Sequence, residues 1–504
     1  MKSSTKILTG IFLLTLAVRL FFAFTLPEFT YESYFHLRQV DHILDTGLPL
    51  YHDGLSYGGR ELRFLPFFHY FTALFALVIP IEIAAKIIPN LLLATLVITS
   101  YLIGKKITNH ETGSLLAAFI AGFLPLLFFT NAFTVNALFL PLIFLTIYTF
   151  INLQGNKSLK NKKQQKYLSA YLILLLILSL TSPLTALLLI GFGIYILLSI
   201  LEGKKINRAE LEVILFSAFF FLWVQFLFFK QSFVEQGLSF IWQNVPSRII
   251  VQYFPKFSVG EALVLVSIIP FLAGAVVVYR SLFQLKNKKS FLLISLVIAT
   301  TILSWLRLIR FKQSLAFFSV ILAILFASFY QDTEKYFQKT KLSHYKKYLL
   351  PAAIVLLLLS TVLPAVTTAI TQDRPSEEEV TAFLWLWENS SVDATILATL
   401  DEGHLITYYA QRKNLIDDRF MLVKDAEQRF QDLTSLFTTR FQTQALEIAE
   451  EYDLEYFVLT PAAKEKYNLK RGFPYTSKRC FELVYDHETK IYQRQCQLEE
   501  TQIT

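Results

Sequence analysis

Charge is scarce in this chain. Of its 504 residues only 17% are Asp, Glu, Lys or Arg, while 54% are hydrophobic and 15% aromatic, and the mean hydropathy is +0.47. Soluble domains carry about a quarter charged residues, so this composition excludes one and implies an integral membrane protein. Cysteine is nearly absent, with Cys480 and Cys496 the only two. No A-x-A-like site follows the first apolar run, residues 7–26 behind Lys2 and Lys6, which therefore reads as a retained span and not a cleaved signal. Acidic residues are few in the first part: residues 1–370 hold 15 acids and 32 bases, whereas the last 134 residues hold 24 acids and 15 bases. The net charge of +8 thus averages a basic, apolar body and an acidic, polar C-terminal domain, and nucleic acid is excluded as a partner.

What is present is a series of apolar runs of spanning length, at about 7–26, 84–104, 114–131, 136–153, 167–183, 184–201, 211–229, 260–279, 291–306, 314–330 and 348–370. The pattern predicts a polytopic α-helical membrane protein of about eleven transmembrane helices, residues 1–370, followed by an extracytoplasmic α/β domain, residues 371–504. Threading the runs alternately collects Lys105-Lys106, the lysines of 157–166, Lys204, Lys205 and Arg208, Arg280 with Lys286, Lys288 and Lys289, and Lys335 to Lys347 on one side. The excess of cations makes that side cytoplasmic. The N-terminus is then inside and the C-terminal domain outside, in a multi-pass protein of the cell membrane. A further apolar stretch, 64–80, would invert this arrangement as a span, so it is expected to lie on or dip into the outer leaflet. Residues 27–83 and 230–259 become long external loops, and loops of that length are usually functional.

In the C-terminal domain the acidic run Asp373 to Glu379 starts a helix ending near Trp387. A-T-I-L-A-T-L reads as a strand, Asp401-Glu402-Gly403 as a loop, L-I-T-Y-Y-A as helix, the chain to Glu451 as further helix, and Tyr456 to Leu459 as a strand. Cys480 and Cys496 flank two strands around a turn at Asp486 to Thr489, which would bring the sulfurs nearly opposite each other. Either they form a disulfide, which requires an oxidising, non-cytoplasmic face, or they are two unpaired thiols on a hairpin. Asn389-Ser390-Ser391 is an external glycosylation-acceptor pattern, and Asn156-Lys157-Ser158 a second that this topology places inside.

The first external loop carries T-Y-E-S-Y-F-H-L-R-Q-V-D-H-I-L-D. Glu32 and His36 are four apart and share one helical face, with Arg38 and Gln39 nearby. A carboxylate and an imidazole so placed bind a divalent metal or move a proton; the alternative is an amphipathic surface helix with solvated charges. Arg307, Arg310 and Lys312 are cations on the external side, where a bound phosphate or pyrophosphate would compensate them, as would an anionic lipid head group. Arg19, inside the first span, snorkels or faces another helix. Glu235 is a further external carboxylate.

With these residues in view, the sequence resembles the GT-C membrane glycosyltransferases, above all the archaeal oligosaccharyltransferase catalytic subunit. The likeness runs along nearly the whole chain. I-E-I-A-A-K-I-I-P-N-L-L-L-A-T-L-V-I-T-S-Y-L-I-G-K-K and G-S-L-L-A-A-F-I-A-G-F-L-P resemble that family's second and third spans, and L-A-T-L-D-E-G-H-L-I-T-Y-Y-A-Q-R-K resembles the region of its W-W-D-Y-G motif. The resemblance implies that Glu32 is the first-loop acid that binds Mn²⁺ or Mg²⁺, and the spacing makes His36 the candidate second ligand. It implies that Glu235, in S-F-V-E, links metal and acceptor peptide, and that Arg310, in R-F-K-Q-S-L-A-F-F, holds the lipid-linked pyrophosphate. Asp401 and Gly403 then belong to the acceptor-binding segment. The sequence departs from the family in its second external loop, where T-N-A-F-T-V-N-A-L has Thr134 and Asn136 in place of an acidic pair, and at the W-W-D-Y-G position, where both tryptophans are missing.

Three functions are compatible with this reading. One is an enzyme moving a glycan from a polyprenyl phosphate or pyrophosphate carrier to an external protein or peptide acceptor, as in protein N-glycosylation. Another is a non-catalytic relative that binds the lipid-linked glycan or assembles the envelope. The third is a transporter or flippase, which the lack of repeated half-chains and of paired mid-membrane charges disfavours.

Overall fold

The computed structural model describes residues 3–155, 161–239, 241, 246–252, 258–285, 288–469, 471–476 and 479–498. The Asn156-Lys157-Ser158 pattern, Lys286, and parts of the 230–259 loop lie outside the described residues. The chain divides into two compact units. One comprises Met1–Leu26, Leu65–Gln231 and Lys256–Gln372, the other Pro27–Phe64, Ser232–Pro255 and Asp373–Thr504.

The first unit is helical. Eight helices among the described residues are long and apolar enough to cross a membrane: Ser3–Thr25, Ile81–Thr108, Asn136–Leu153, Lys162–Thr181, Pro183–Leu201, Arg208–Gln236, Phe311–Lys339 and Ser343–Ile370. A further apolar pair, Val259–Val266 and Ile268–Phe283, meets at 88°, the geometry of a broken span or a re-entrant loop. The protein is therefore a multi-pass membrane protein. The break falls at Ser267, whose φ of +74° no helix accommodates. Its hydroxyl compensates by donating to the Ser360 carbonyl at 2.9 Å or pairing with Thr361 Oγ1 at 2.6 Å.

The two remaining runs lie on shorter helices. The 114–131 run is helical only in Glu111–Gly122, because Pro125 opens a 3₁₀ turn, Pro125–Leu127, and cannot extend the helix. The 291–306 run lies on Ser290–Trp305. The extra apolar stretch forms Phe67–Ala76, about 15 Å long at 1.5 Å per residue and too short for a hydrocarbon core of about 30 Å. Arg19 does not snorkel: it is 2% exposed, donates from Nε to Asn90 Oδ1 at 3.1 Å and lies 5.0 Å from the Phe128 ring centre.

The second unit is α/β. A small hairpin pairs β1 (His52–Asp53) with β2 (Arg60–Glu61). The main sheet contains β3 (Thr395–Leu397), β4 (Lys413–Asn414), β5 (Leu454–Leu459), β6 (Phe481–Asp486) and β7 (Lys490–Arg494), in the order β4-β3-β5-β7-β6. The first three are mutually parallel, and β7 runs antiparallel to both β5 and β6. Every residue of β3 is buried and five of the six in β5, as expected for central strands covered on both faces. The helices Glu377–Asn389, Ala426–Thr438 and Gln442–Glu451 join this sheet in the second unit. Glu377–Asn389 starts with a reciprocal capping box between Ser376 and Glu379. Cys480 and Cys496 form a disulfide across the open end of the β6–β7 hairpin, with Cα atoms 4.7 Å apart.

Candidate functional site

The chemistry-bearing side chains of the second unit gather around the helix Tyr31–Thr46. The helix ends at Gly47, which adopts φ +77° so that its N–H reaches the Ile43 carbonyl at 2.8 Å. Nine of its sixteen residues are buried, His36 among them, while the Glu32 side chain remains 35% exposed. Burial around most of the helix fixes it, and Glu32, at its first turn, stays partly accessible.

Glu32 and His36 share a face, and both meet one group that the sequence reading missed. Arg419 donates from Nη2 to Glu32 Oε1 and to His36 Nε2, each at 3.1 Å. Its guanidinium lies 4.3 Å from the Phe35 ring centre, a cation–π distance, and its Nε is 3.5 Å from Asp418 Oδ1. Asp418 also pairs with His404 Nε2 at 2.8 Å, both side chains being buried. The backbone N–H of Arg419 donates to Asp417 Oδ1 at 2.9 Å. Asp417 is itself anchored, accepting from Ser56 Oγ at 2.6 Å, Asn414 Nδ2 at 3.2 Å and Arg60 Nη2 at 3.3 Å, while the Tyr57 hydroxyl donates to its carbonyl at 2.6 Å. The signal that could have found this cluster is the run Asp417-Asp418-Arg419, a charge-dense triplet soon after the D-E-G-H segment.

The other expected residues have separate places. Arg38 forms a two-pronged ion pair with Asp53, at 2.7 and 2.8 Å. Burial opposes ionisation of Asp53, but Arg38 and the N–H groups of Leu55 and Ser56 outweigh it and hold the carboxyl below its usual range. Asp401 faces Lys466 at 3.6 Å. Its neighbour Glu402 turns inward, accepting from the Thr399 N–H at 2.8 Å and from the Thr460 hydroxyl, and burial, aided by Glu379, pushes its carboxyl up to about 7. Glu379 is raised by burial as well, and accepts from the Tyr31 hydroxyl at 3.1 Å.

Gly403 serves a close approach. A Cβ there would run into the Ile416 carbonyl and come within 2.9 Å of Asp417 Cβ. Gly403→Ala is therefore expected to push the Asp417–Arg419 segment aside and to destabilise the unit by about 2 kcal/mol, read as a lowered Tm in detergent by differential scanning fluorimetry. An unchanged Tm would remove this role.

Glu235 is exposed in the last turn of Arg208–Gln236. In the first unit, Arg307 is exposed in a turn with φ +56°, Arg310 is half-buried at the N-cap position of Phe311–Lys339, and Lys312 Nζ lies 3.8 Å from the Phe129 ring centre.

Mn²⁺ or Mg²⁺ takes several oxygen ligands, about six for Mg²⁺ at about 2.1 Å. Glu32 and His36 offer one carboxylate and one imidazole, and a guanidinium nitrogen already sits between them, so this pair does not fit a hard divalent ion. Among the described residues, one group has ligand atoms spaced for a metal: His404, Asp417 and Asp418, all within 4.8 Å of one another. Arg60 and Arg419 are the cations already matched to its carboxylates.

No family model matches the sequence, and no curated protein matches it significantly. In three dimensions the fold is that of the GT-C membrane glycosyltransferases. One similar structure is the archaeal oligosaccharyltransferase AglB from Archaeoglobus fulgidus, in complex with an inhibitory peptide and a dolichol-phosphate, with TM-score 0.66 and 12% identity over 89% of this chain and 69% of that one. The Archaeoglobus enzyme with zinc and sulfate gives 0.62 and 13% over 93% and 71%. ArnT from Cupriavidus metallidurans bound to undecaprenyl phosphate gives 0.52 and 13% over 96% and 98%.

Proposed function

We propose that the protein is a glycosyltransferase that moves a glycan from a polyprenyl phosphate or pyrophosphate carrier to a protein or peptide acceptor outside the cytoplasm, in the manner of protein N-glycosylation. The observation that carries this reading is the likeness of fold over most of the chain to two different proteins whose structures hold a polyprenyl-type phosphate. In the reaction the acceptor nucleophile attacks the anomeric carbon of the donor sugar, and the carbon–oxygen bond to the carrier breaks with its electron pair leaving on the phosphate. Glu32, fixed on its helix yet accessible, orients the acceptor and takes its proton. Glu235 is the second carboxylate proposed for the acceptor, with Asp401 and Gly403 in the segment that seats it. In the first unit, Arg310 with Arg307 and Lys312 binds the carrier phosphate, a geometry guanidinium groups suit.

The lysine distribution supports a cytoplasmic N-terminus, and the Cys480–Cys496 bridge supports an oxidising exterior for the C-terminal domain, taken as residues 371–504 beyond a membrane domain of 1–370. The test is transfer in detergent, using purified protein, lipid-linked oligosaccharides from the source cells, and both a sequon peptide and an envelope-protein mixture as acceptors. Glycosylated product is expected. Saturable retention of the lipid-linked glycan without any product would replace the enzyme by a binding subunit, a reading that Thr134 and Asn136 at the acidic-pair positions favour.

A further inference from the structure

We propose that Arg419 is the resident cation of the Glu32 face, standing where a divalent metal would otherwise be held, and that a phosphate-bearing ligand docks on its guanidinium. The identity of that ligand rests on the functional reading above; the place of the cation does not.

The arrangement is built, not incidental. The same nitrogen, Nη2, is within 3.1 Å of both Glu32 Oε1 and His36 Nε2, the two atoms that would ligate a metal. Phe35 supports the guanidinium from one face, and Asp418 lies against Nε. The backbone of Arg419 is pinned through Asp417 to Ser56, Asn414 and Arg60. A mobile surface arginine would have none of these constraints. Nη1 makes no hydrogen bond among the described residues, and the side chain is 27% exposed, so its remaining N–H groups can receive an anion. A guanidinium presents five N–H donors in a planar fork suited to phosphate oxygens.

The charge balance agrees. A hard divalent ion needs several anionic oxygens. Glu32 is the one carboxylate of the pair. With one positive charge in place of two, Arg419 serves Glu32 and Asp418, and Arg60 pairs with Asp417.

The experiment is a Mn²⁺ titration of the full-length protein in detergent, following free Mn²⁺ by its electron paramagnetic resonance signal, on wild type, Glu32→Gln, Arg419→Met and the double variant Arg419→Met/Glu32→Gln. The expected result is no Glu32-dependent binding in wild type up to about 1 mM, a gain of about tenfold or more in Arg419→Met, and loss of that gain in the double variant. Wild-type Mn²⁺ binding that Glu32→Gln abolishes would overturn the proposal. Arg419→Lys guards against a folding defect: it keeps the charge and should, like wild type, show no Glu32-dependent site. In the transfer assay, activity should survive EDTA and fall about a hundredfold in Arg419→Met; activity that vanishes with EDTA and returns with Mn²⁺ would also overturn it. Absence of transfer in every sample would remove the glycosyltransferase reading alone, since the titration needs no turnover.

Discussion

Glu32→Ala is expected to lower transfer about a thousandfold, the upper range for loss of one preorganised charged group, while the protein remains folded in detergent. The two effects separate because Glu32 is partly exposed at the first turn of a helix that nine other, buried residues hold in place. Losing it forfeits the proposed acceptor contact and leaves Arg419 with His36 and Asp418. An exposed pair contributes about 0–1 kcal/mol to stability, too little to unfold the unit. Glu32→Gln is the sharper variant: it keeps shape and a hydrogen-bond acceptor toward Arg419 but cannot take a proton, so it should lose nearly as much rate as Ala. Arg310→Ala, at the proposed phosphate contact in the first unit, should abolish transfer as well. Retention of transfer by both Glu32→Ala and Arg310→Ala would remove the assignment of these residues.

The second large effect is a pH dependence of stability set by Glu402. Its carboxyl titrates near 7 in the folded protein against 4.5 for the ordinary group, because burial and then Glu379 disfavour the charged form. The folded state therefore holds a proton that the unfolded state releases. The contribution is fully present below about 4.5, declines as pH rises, and is lost above about 7, a change on the order of 3 kcal/mol at 1.36 kcal/mol per pH unit. Glu379 is shifted in the same direction, also by burial. Asp53 is shifted the opposite way, and its contribution disappears only as pH falls below the ordinary carboxylate range, outside this window. Thermal denaturation in detergent should give a Tm that falls from pH 5 to pH 7.5 in wild type and a much flatter profile in Glu402→Gln. The amide stays neutral and retains an oxygen for the Thr399 N–H. Equal slopes in the two proteins would refute the assignment.

Local pattern carried much of the architecture. Hydropathy over windows of about twenty residues located every stretch that became a membrane helix, because in hydrocarbon a helix is the segment's way of satisfying its own backbone. It marked the apolar stretch that is too short to span, as the helix Phe67–Ala76 now shows. The four-residue spacing of Glu32 and His36 put them on one face, since that follows from helix geometry alone. Alternation around a turn placed the β6–β7 hairpin and opposed its two cysteines. The same local measures failed where a single residue interrupts an apolar run: hydropathy does not register the positive φ of Ser267 or the 3₁₀ turn at Pro125. They also missed the two-residue strands β1, β2 and β4, which have no periodicity to detect and exist through their partners.

The candidate site required the tertiary structure for a related reason. Arg419 is 387 residues from Glu32, and Asp417 is 361 from Ser56. No spacing rule reaches across such distances. The sequence by itself determined a membrane-embedded helical body, a polar α/β domain, and a helix carrying a carboxylate and an imidazole on one face. Only the fold decided what fills the space between those two groups, because a cation's place is set by the carboxylates and aromatic ring that surround it in space, and folding assembles those from segments that are remote along the chain.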